Sequence, residues 1–287
     1  MKRFAIAAAL GFFTLLANAQ TVFTVRSDES DNDNRREYER KALELALEKT
    51  VSDFGPYSLV TTDERLNEKR SLSAVEEDSY PNFFIKSSIS NEIVSAYGFV
   101  PFPLDRGMVG YRVAFTSEAV KEKLASVESL DQLKGFSILQ GIGWLDTEIL
   151  RPQGFTVIEG SSYEGMFQMV ARGRGDLFMR GTSELLDEWN AHQNVPGLAY
   201  DESVALYYPL PRFFLTNKKN TDAIRRVETG LKRAYEDGSF IELWKQHNLE
   251  SINFVNLKDR KIFRIENPLI DKVDTAYEQY IFDPSKE

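Results

Sequence analysis

GFSILQGIGWLDTEILRPQGFTVIEGSSYEGMFQMVARGRGDLFMRGTSELLDEW, residues 135–189, is the stretch whose reading decides the fold. Three short apolar runs, 136–139, 155–158 and 176–179, alternate with segments of helical spacing, the pattern of βαβ units in a parallel sheet. Open parallel sheets take ligands beyond the carboxyl ends of their strands. Gly141, Ile142, Gly143 and Trp144 follow the first run and Arg180 follows the third, so these residues are expected to wall a small-molecule pocket. Arg180 is the strongest candidate, because a guanidinium at a strand end presents a planar fork to a carboxylate or phosphate. The competing reading is an ion pair with Glu184 or Asp187 on the next helix.

Helix starts in this stretch are marked. Ser161 and Glu164 have S-x-x-E spacing ahead of Met166, Phe167 and Val170, and Thr182 or Ser183 can cap the helix that carries Leu185, Leu186 and Trp189. Arg172-Gly173-Arg174-Gly175 falls between helix and strand, where glycine ends the helix and cations suit its C-terminus. On either side lie FVPFPLDRGMVGYRVAFT, 99–116, and YYPLPRFFLTNK, 207–218, whose prolines interrupt β-like runs. They read as two crossings between lobes: an inserted lobe, 109–204, within an outer lobe made of 20–108 and 205–287.

In the outer lobe, TVFTVR (21–26), 57–62 and 83–88 read as strands. Between the first two runs a helix with Tyr38, Ala42, Leu43, Ala46 and Leu47 on one face, ended by Gly55-Pro56; a polar helix is expected over 64–75. SDESDNDN, 27–34, places Asp31 and Asp33 at the first two positions of a calcium loop, but Arg35 stands where the third ligand belongs. A solvated loop that caps the next helix is expected instead. Residues 221–237 carry Ile224, Val227, Leu231 and Ala234 on one face. Asp237-Gly238 turns the chain, and Ser239 with Glu242 repeats the S-x-x-E spacing ahead of Phe240, Ile241 and Trp244. Residues 258–265 read as a strand, and nothing is assigned after Pro268.

Lys2 and Arg3 precede an apolar run, 4–16, and Ala17-Asn18-Ala19 has the form of a cleavage site, so residues 1–19 are expected to be a signal peptide. The run is too short to span a bilayer, which takes about 20 apolar residues, and the mature protein is expected to be soluble and periplasmic. There is no cysteine among 287 residues, which removes disulfides, thiolate metal sites and a lipidated cysteine. Lys2 and Arg3 are two of 35 basic residues; the remaining 33 face 44 acidic ones, a formal charge of −11. With no basic tract, nucleic acid and anionic membrane are poor partners.

Taken in order, KGFSILQGIGWLDTEIL (134–150), a capped helix ending in ARGRGD (171–176) and EDGSFIELWKQH (236–247) resemble the type II periplasmic solute-binding proteins, in particular the amino-acid-binding branch of ABC importers (family 3-like). The run PLDRGMVGYR, 103–112, is similar to one in less-characterised secreted relatives from Gram-negative bacteria. The resemblance covers roughly residues 21–250. It implies an α/β, two-lobed type II fold, each lobe a mainly parallel sheet flanked by helices, with two crossover hinge strands and closure on a ligand. It also implies that the loop 141–144 offers backbone N–H groups at a helix start, and glycine and the helix N-terminus suit that task. The branch commonly has an arginine after its third strand, where this chain reads SSISNEIVS (87–95), and an aspartate where this chain has Arg180. Both ends of the usual zwitterion clamp are altered.

The residues expected to bind are therefore Arg180, Gly141, Ile142, Gly143 and Trp144 from the inserted lobe, with Ser87, Ser88 and Arg106 from the outer one; Arg112 and Arg212 at the crossings are weaker candidates. The expected function is capture of a small polar, anionic ligand for an ABC importer by a monomer that needs no cofactor or metal. The alternatives are a sensory module that docks a membrane receptor, and a secreted enzyme. Catalysis is disfavoured because His192 and His247 lie in no nucleophile motif and no P-loop, G-x-S-x-G or H-E-x-x-H occurs.

Overall fold

The computed structural model describes residues 20–27 and 35–286. The expected signal peptide and the Asp31/Asp33 loop lie outside the described residues. From Gln20 the chain runs through β1 (Thr21–Val25), β2 (Tyr57–Thr61), β3 (Phe83–Ser88) and β4 (Gly98–Val100), crosses over, and continues through β5 (Tyr111–Ser117), β6 (Ile138–Gly141), β7 (Val157–Gly160), β8 (Leu177–Gly181), β9 (Leu198–Tyr200) and β10 (Val204–Tyr207). It then crosses back to β11 (Arg212–Thr216), and β12 (Lys261–Arg264) comes last. The first sheet has the order β2-β1-β3-β11-β4; the second has the order β12-β10-β5-β8-β6-β7, with β9 also on β5.

The three runs of 135–189 are the strands β6, β7 and β8, and they pair in parallel as expected. Each begins one or two residues later than its apolar run and ends on or beside a glycine. Both sheets are mainly parallel, as the sequence implies, with one reversed strand in each: β11 in the first and β5 in the second. These two strands follow the crossings and enter from the opposite end, so β11 pairs antiparallel with β3 and β4, and β5 with β8, β9 and β10. One difference concerns the boundary at 205: β10 and β12 pair in parallel within the second sheet, so residues 205–207 and 261–264 lie with the inserted lobe.

Local chemistry moves some helix ends. The polar helix is Glu68–Glu76, because the Asn67 side chain accepts from the Arg70 N–H. Ser162, not Ser161, caps Tyr163–Ala171 by accepting from the Gly165 N–H. Helix Leu185–His192 starts at Glu184 without a side-chain cap, and Thr182 instead donates to the Tyr111 carbonyl. Ser239 lies inside its helix, which starts at a left-handed Gly238 and runs to Val255.

Helices Arg35–Glu48 and Thr221–Glu236 pack against each other with their predicted apolar faces buried, Ile224 in part. They approach so closely that a Cβ added at Gly230 would lie 1.9 Å from the Ala46 carbonyl oxygen. The crossings run side by side: the Tyr208 N–H donates to the Gly110 carbonyl (3.2 Å) and the Leu104 N–H to the Arg212 carbonyl (2.9 Å).

After helix Ser239–Val255 the chain passes into the second sheet as β12 and then returns across the hinge. Asn267 donates to the Pro209 carbonyl (2.8 Å), Tyr277 packs on Phe213, Tyr280 on Phe102, and Phe282 on Trp244. The Phe282 N–H donates to the Arg106 carbonyl at 2.8 Å. The tail thus belongs to the core of the hinge.

Two outcomes follow from this packing. Gly230→Ala should cost about 1–3 kcal/mol, the usual range for overpacking, read by urea unfolding. Ending the chain after Ile265 removes three aromatics that each contribute about 1.5–3 kcal/mol of burial. At about 2–4 °C per kcal/mol the midpoint of thermal unfolding should fall by at least about 10 °C; an unchanged midpoint would show the tail to be dispensable.

Candidate functional site

The carboxyl ends of β1, β3, β6 and β8 and the two crossings meet where the lobes face each other, and charged side chains collect there. On the second-lobe side, Arg180 from the end of β8 is buried and makes a bidentate pair with Glu188: Nε lies 2.8 Å from both oxygens and Nη2 2.6 Å from Oε1. Its guanidinium lies 4.8 Å from the Trp144 ring and 5.2 Å from Phe178, two rings stacked on each other, so an aromatic pair borders a charge already neutralised by a carboxylate. Tyr163 donates to Glu188 at 2.7 Å and completes that carboxylate's shell. The sequence reading of an ion pair on the next helix is therefore realised, with Glu188 in place of Asp187.

Arg112, at the start of β5, lies 2.7 Å from Asp146, and the Tyr208 hydroxyl donates to the same carboxylate. Asp146 stands in the first turn of helix Leu145–Leu150, directly after the loop 141–144. The loop uses much of its own backbone: the Ile142 N–H donates to the Gly160 carbonyl (3.2 Å) and the Trp144 N–H to that of Gly141 (3.1 Å). Gly141 does permit a close approach, but the group that approaches is the Trp144 indole, 2.4 Å from where a Cβ would stand. Ile142 is exposed.

Between these two pairs sits Glu184. Its Oε2 accepts from the Gly181 N–H at 2.8 Å and lies 3.3 Å from Arg180 Nη2 and 3.9 Å from Arg112 Nη1. Its Oε1 lies 3.8 Å from Nη2 of Arg212, which begins β11 in the first sheet. One carboxylate is thus shared by three guanidiniums contributed from both lobes. Burial pushes the Glu184 carboxyl up, but Arg180, Arg212 and Arg112 with the Gly181 N–H outweigh it and bring it to about 2.

On the first-lobe side, Arg212 Nε reaches the Ser88 hydroxyl at 3.4 Å, and Ser87 donates to Glu68 at 2.7 Å. Glu68 in turn meets Arg26 (2.6 Å), which forms a second buried pair with Glu39 (3.1 Å). Lys86, beside these, is held below the usual lysine range by burial and by Arg212. Arg106 is placed differently from the other candidates. It lies against the tail, Nε donating to the Tyr280 carbonyl at 3.2 Å and the guanidinium 4.6 Å from the Trp244 ring.

The structure therefore gathers Arg180 and Trp144 at one wall and brings Ser88 to it through Arg212 and Glu184. Ser87 stands on the Arg26–Glu68 side, and Arg106 serves the tail. Sequence reasoning passed over Glu188, Asp146, Tyr163, Lys86 and Arg26. Glu188 carried a usable signal, since it follows Glu184 by one helical turn on the helix that succeeds the Arg180 strand. Asp146 carried none, because its partner Arg112 is 34 positions away in the chain. Among the described residues no group of three or more metal-ligating side chains is present, and no helix is long and apolar enough to cross a membrane.

Two lobes, two hydrogen-bonded crossings and a charged interlobe junction define the two-lobed fold of type II periplasmic binding proteins, and the solved structures agree. YckB of Bacillus subtilis matches at 16% identity over 85% of this chain and 96% of its own, with a TM-score of 0.55. An ancestral arginine-binding protein bound to arginine matches at 13% identity over 79% and 98%, TM-score 0.54. The second substrate-binding domain of GlnP from Lactococcus lactis, in an open conformation, matches at 14% over 80% and 97%, TM-score 0.52. No protein-family model and no curated protein sequence matches the chain.

Two measurements check the electrostatics. Arg180→Ala leaves Glu188 buried without its partner and should cost about 3–5 kcal/mol, while replacing both by Met and Leu should recover most of it; equal losses in both variants would deny the pairing. Glu184 has a folded-state value of about 2 against an ordinary 4.5. Its stabilisation is therefore complete above about pH 4.5 and is lost as pH falls towards 2. The stability difference between wild type and Glu184→Gln should be flat above pH 5 and shrink below 4.5; a difference that grows in acid would reverse the sign.

Proposed function

We propose that this chain is an exported, monomeric periplasmic solute-binding protein that captures a small polar ligand carrying an anionic group between its lobes and delivers it to an ABC importer. The observation that supports this best is the convergence of Arg212 from one lobe and Arg112 and Arg180 from the other on a single carboxylate. A ligand group held by both lobes favours the closed state by its differential affinity, which is how such a fold signals occupancy. Ser88 beside Arg212 and the aromatic wall of Trp144 and Tyr163 supply hydrogen-bonding and stacking surfaces of the kind a small polar molecule uses.

Binding rather than catalysis is also favoured by the histidines. His192 spends one ring nitrogen on Glu164 (2.9 Å) and the other on the Glu188 carbonyl (2.7 Å) while stacking on Phe167, which leaves neither nitrogen for a nucleophile. His247 packs on Tyr38 and is held below its ordinary range by burial and Lys41.

The test is a thermal-shift screen of unfolded, ligand-stripped and refolded protein. A ligand at a hundred times its Kd should add about 2.7 kcal/mol of stability. Succinate, L-glutamate or phosphate should raise the melting temperature. If these do nothing while neutral or cationic metabolites raise it, the anionic reading is overturned; if the loaded protein is retained by a sensor ectodomain and not by a permease, the import role falls.

A further inference from the structure

The three carboxylates at the junction are not held alike. Glu188 and Asp146 lie 2.6 and 2.7 Å from their arginines, within charge-assisted hydrogen-bond distance, and about nine-tenths of each side chain is buried. Glu184 touches the same two arginines only at 3.3 and 3.9 Å and Arg212 at 3.8 Å; its one hydrogen bond within normal range is from the Gly181 N–H, and a quarter of its side chain is exposed. Glu188 and Asp146 are thus fixed counterions, and Glu184 is a loosely seated one at the solvent-reachable end of the cluster. With Glu184 swung away, the three guanidiniums keep only two carboxylates in ion-pair contact, Glu188 and Asp146, and Arg212 is left with the longer-range field of Asp105; the vacated position is flanked by an N–H donor. That arrangement is what a ligand carboxylate requires.

We infer that Glu184 is an internal competitor: its carboxylate fills the seat where Arg112, Arg180, Arg212 and the Gly181 N–H receive the anionic group of the ligand, and binding displaces it. The inference rests on the proposed solute-binding role and adds the regulation of that site. Because Arg212 belongs to the first lobe and Glu184 to the second, the same contact draws the lobes together without ligand. An entering anion exchanges one carboxylate for another, so net electrostatic gain is small and affinity is modest. Selectivity then rests on the rest of the ligand meeting Ser88 and the Trp144–Tyr163 wall.

The experiment is titration calorimetry with succinate on the full mature chain, comparing wild type, Glu184→Gln and Glu184→Ala, with circular dichroism to confirm that each variant is folded. The Gln variant keeps the shape and removes the charge; the Ala variant empties the seat. Both should bind succinate at least tenfold more tightly than wild type, and adding Arg212→Gln to Glu184→Ala should abolish the gain. Wild type that binds with affinity unchanged or weakened in both variants overturns the competitor and leaves solute binding standing. If neither wild type nor either variant binds succinate, L-glutamate or phosphate, the competitor and the anionic-ligand reading fall together. A gain that survives Arg212→Gln overturns the interlobe part of the inference.

Discussion

Three guanidiniums brought to one junction cannot stay there without counter-charge, and much of the local architecture answers that constraint. Moving an ion out of water costs several kcal/mol unless its partner is close and well oriented. Arg180 and Arg112 are nearly buried, and each has a carboxylate in contact: Glu188 on helix Leu185–His192 and Asp146 on helix Leu145–Leu150. Both helices begin just after the strands β8 and β6 and so deliver their acids to the carboxyl ends of the sheet. Tyr163 and Tyr208 then take up remaining lone pairs on those acids. The helix starts and the two tyrosines at this wall thereby keep the arginines ionised and paired.

The same reasoning describes the first lobe. Arg26 at the end of β1 meets Glu39 and Glu68 from two different helices, and Glu39 also accepts from the Lys86 N–H at 2.8 Å. The lobes therefore present two faces of paired charge, linked by the Arg212–Glu184 contact. The tail adds a further tie. Beyond β12 it packs Tyr277, Tyr280 and Phe282 onto both sides of the crossings, and Arg106 is clamped between it and Trp244. The hinge is thus held by more chain than its two crossings, and any opening motion must carry the tail with it.

Much of this was legible in the residues. The apolar runs of 135–189, the faces of helices Arg35–Glu48 and Thr221–Glu236, and the proline-marked crossings all obey local periodicities or steric rules that a linear reading detects. The single reversed strand of each sheet was not legible, because β5 and β11 look like any short apolar strand and their antiparallel pairing is imposed by the end from which each crossing enters. Helix caps were displaced by one residue where two serines compete, as at Ser161 and Ser162, since the choice depends on the angle at which the chain arrives.

The site divides in the same way. The sequence by itself determined that an arginine stands at the end of β8, that a glycine-rich turn follows β6 and that two further arginines flank the crossings, because strand ends and turns are short-range features. Only the tertiary structure decided what those arginines face. Arg180 pairs with Glu188 eight residues on, Arg112 with an acid 34 positions away, and Glu184 with an arginine in the other lobe; charge pairing acts through space, and the distances that select a partner exist only once both lobes have folded and met.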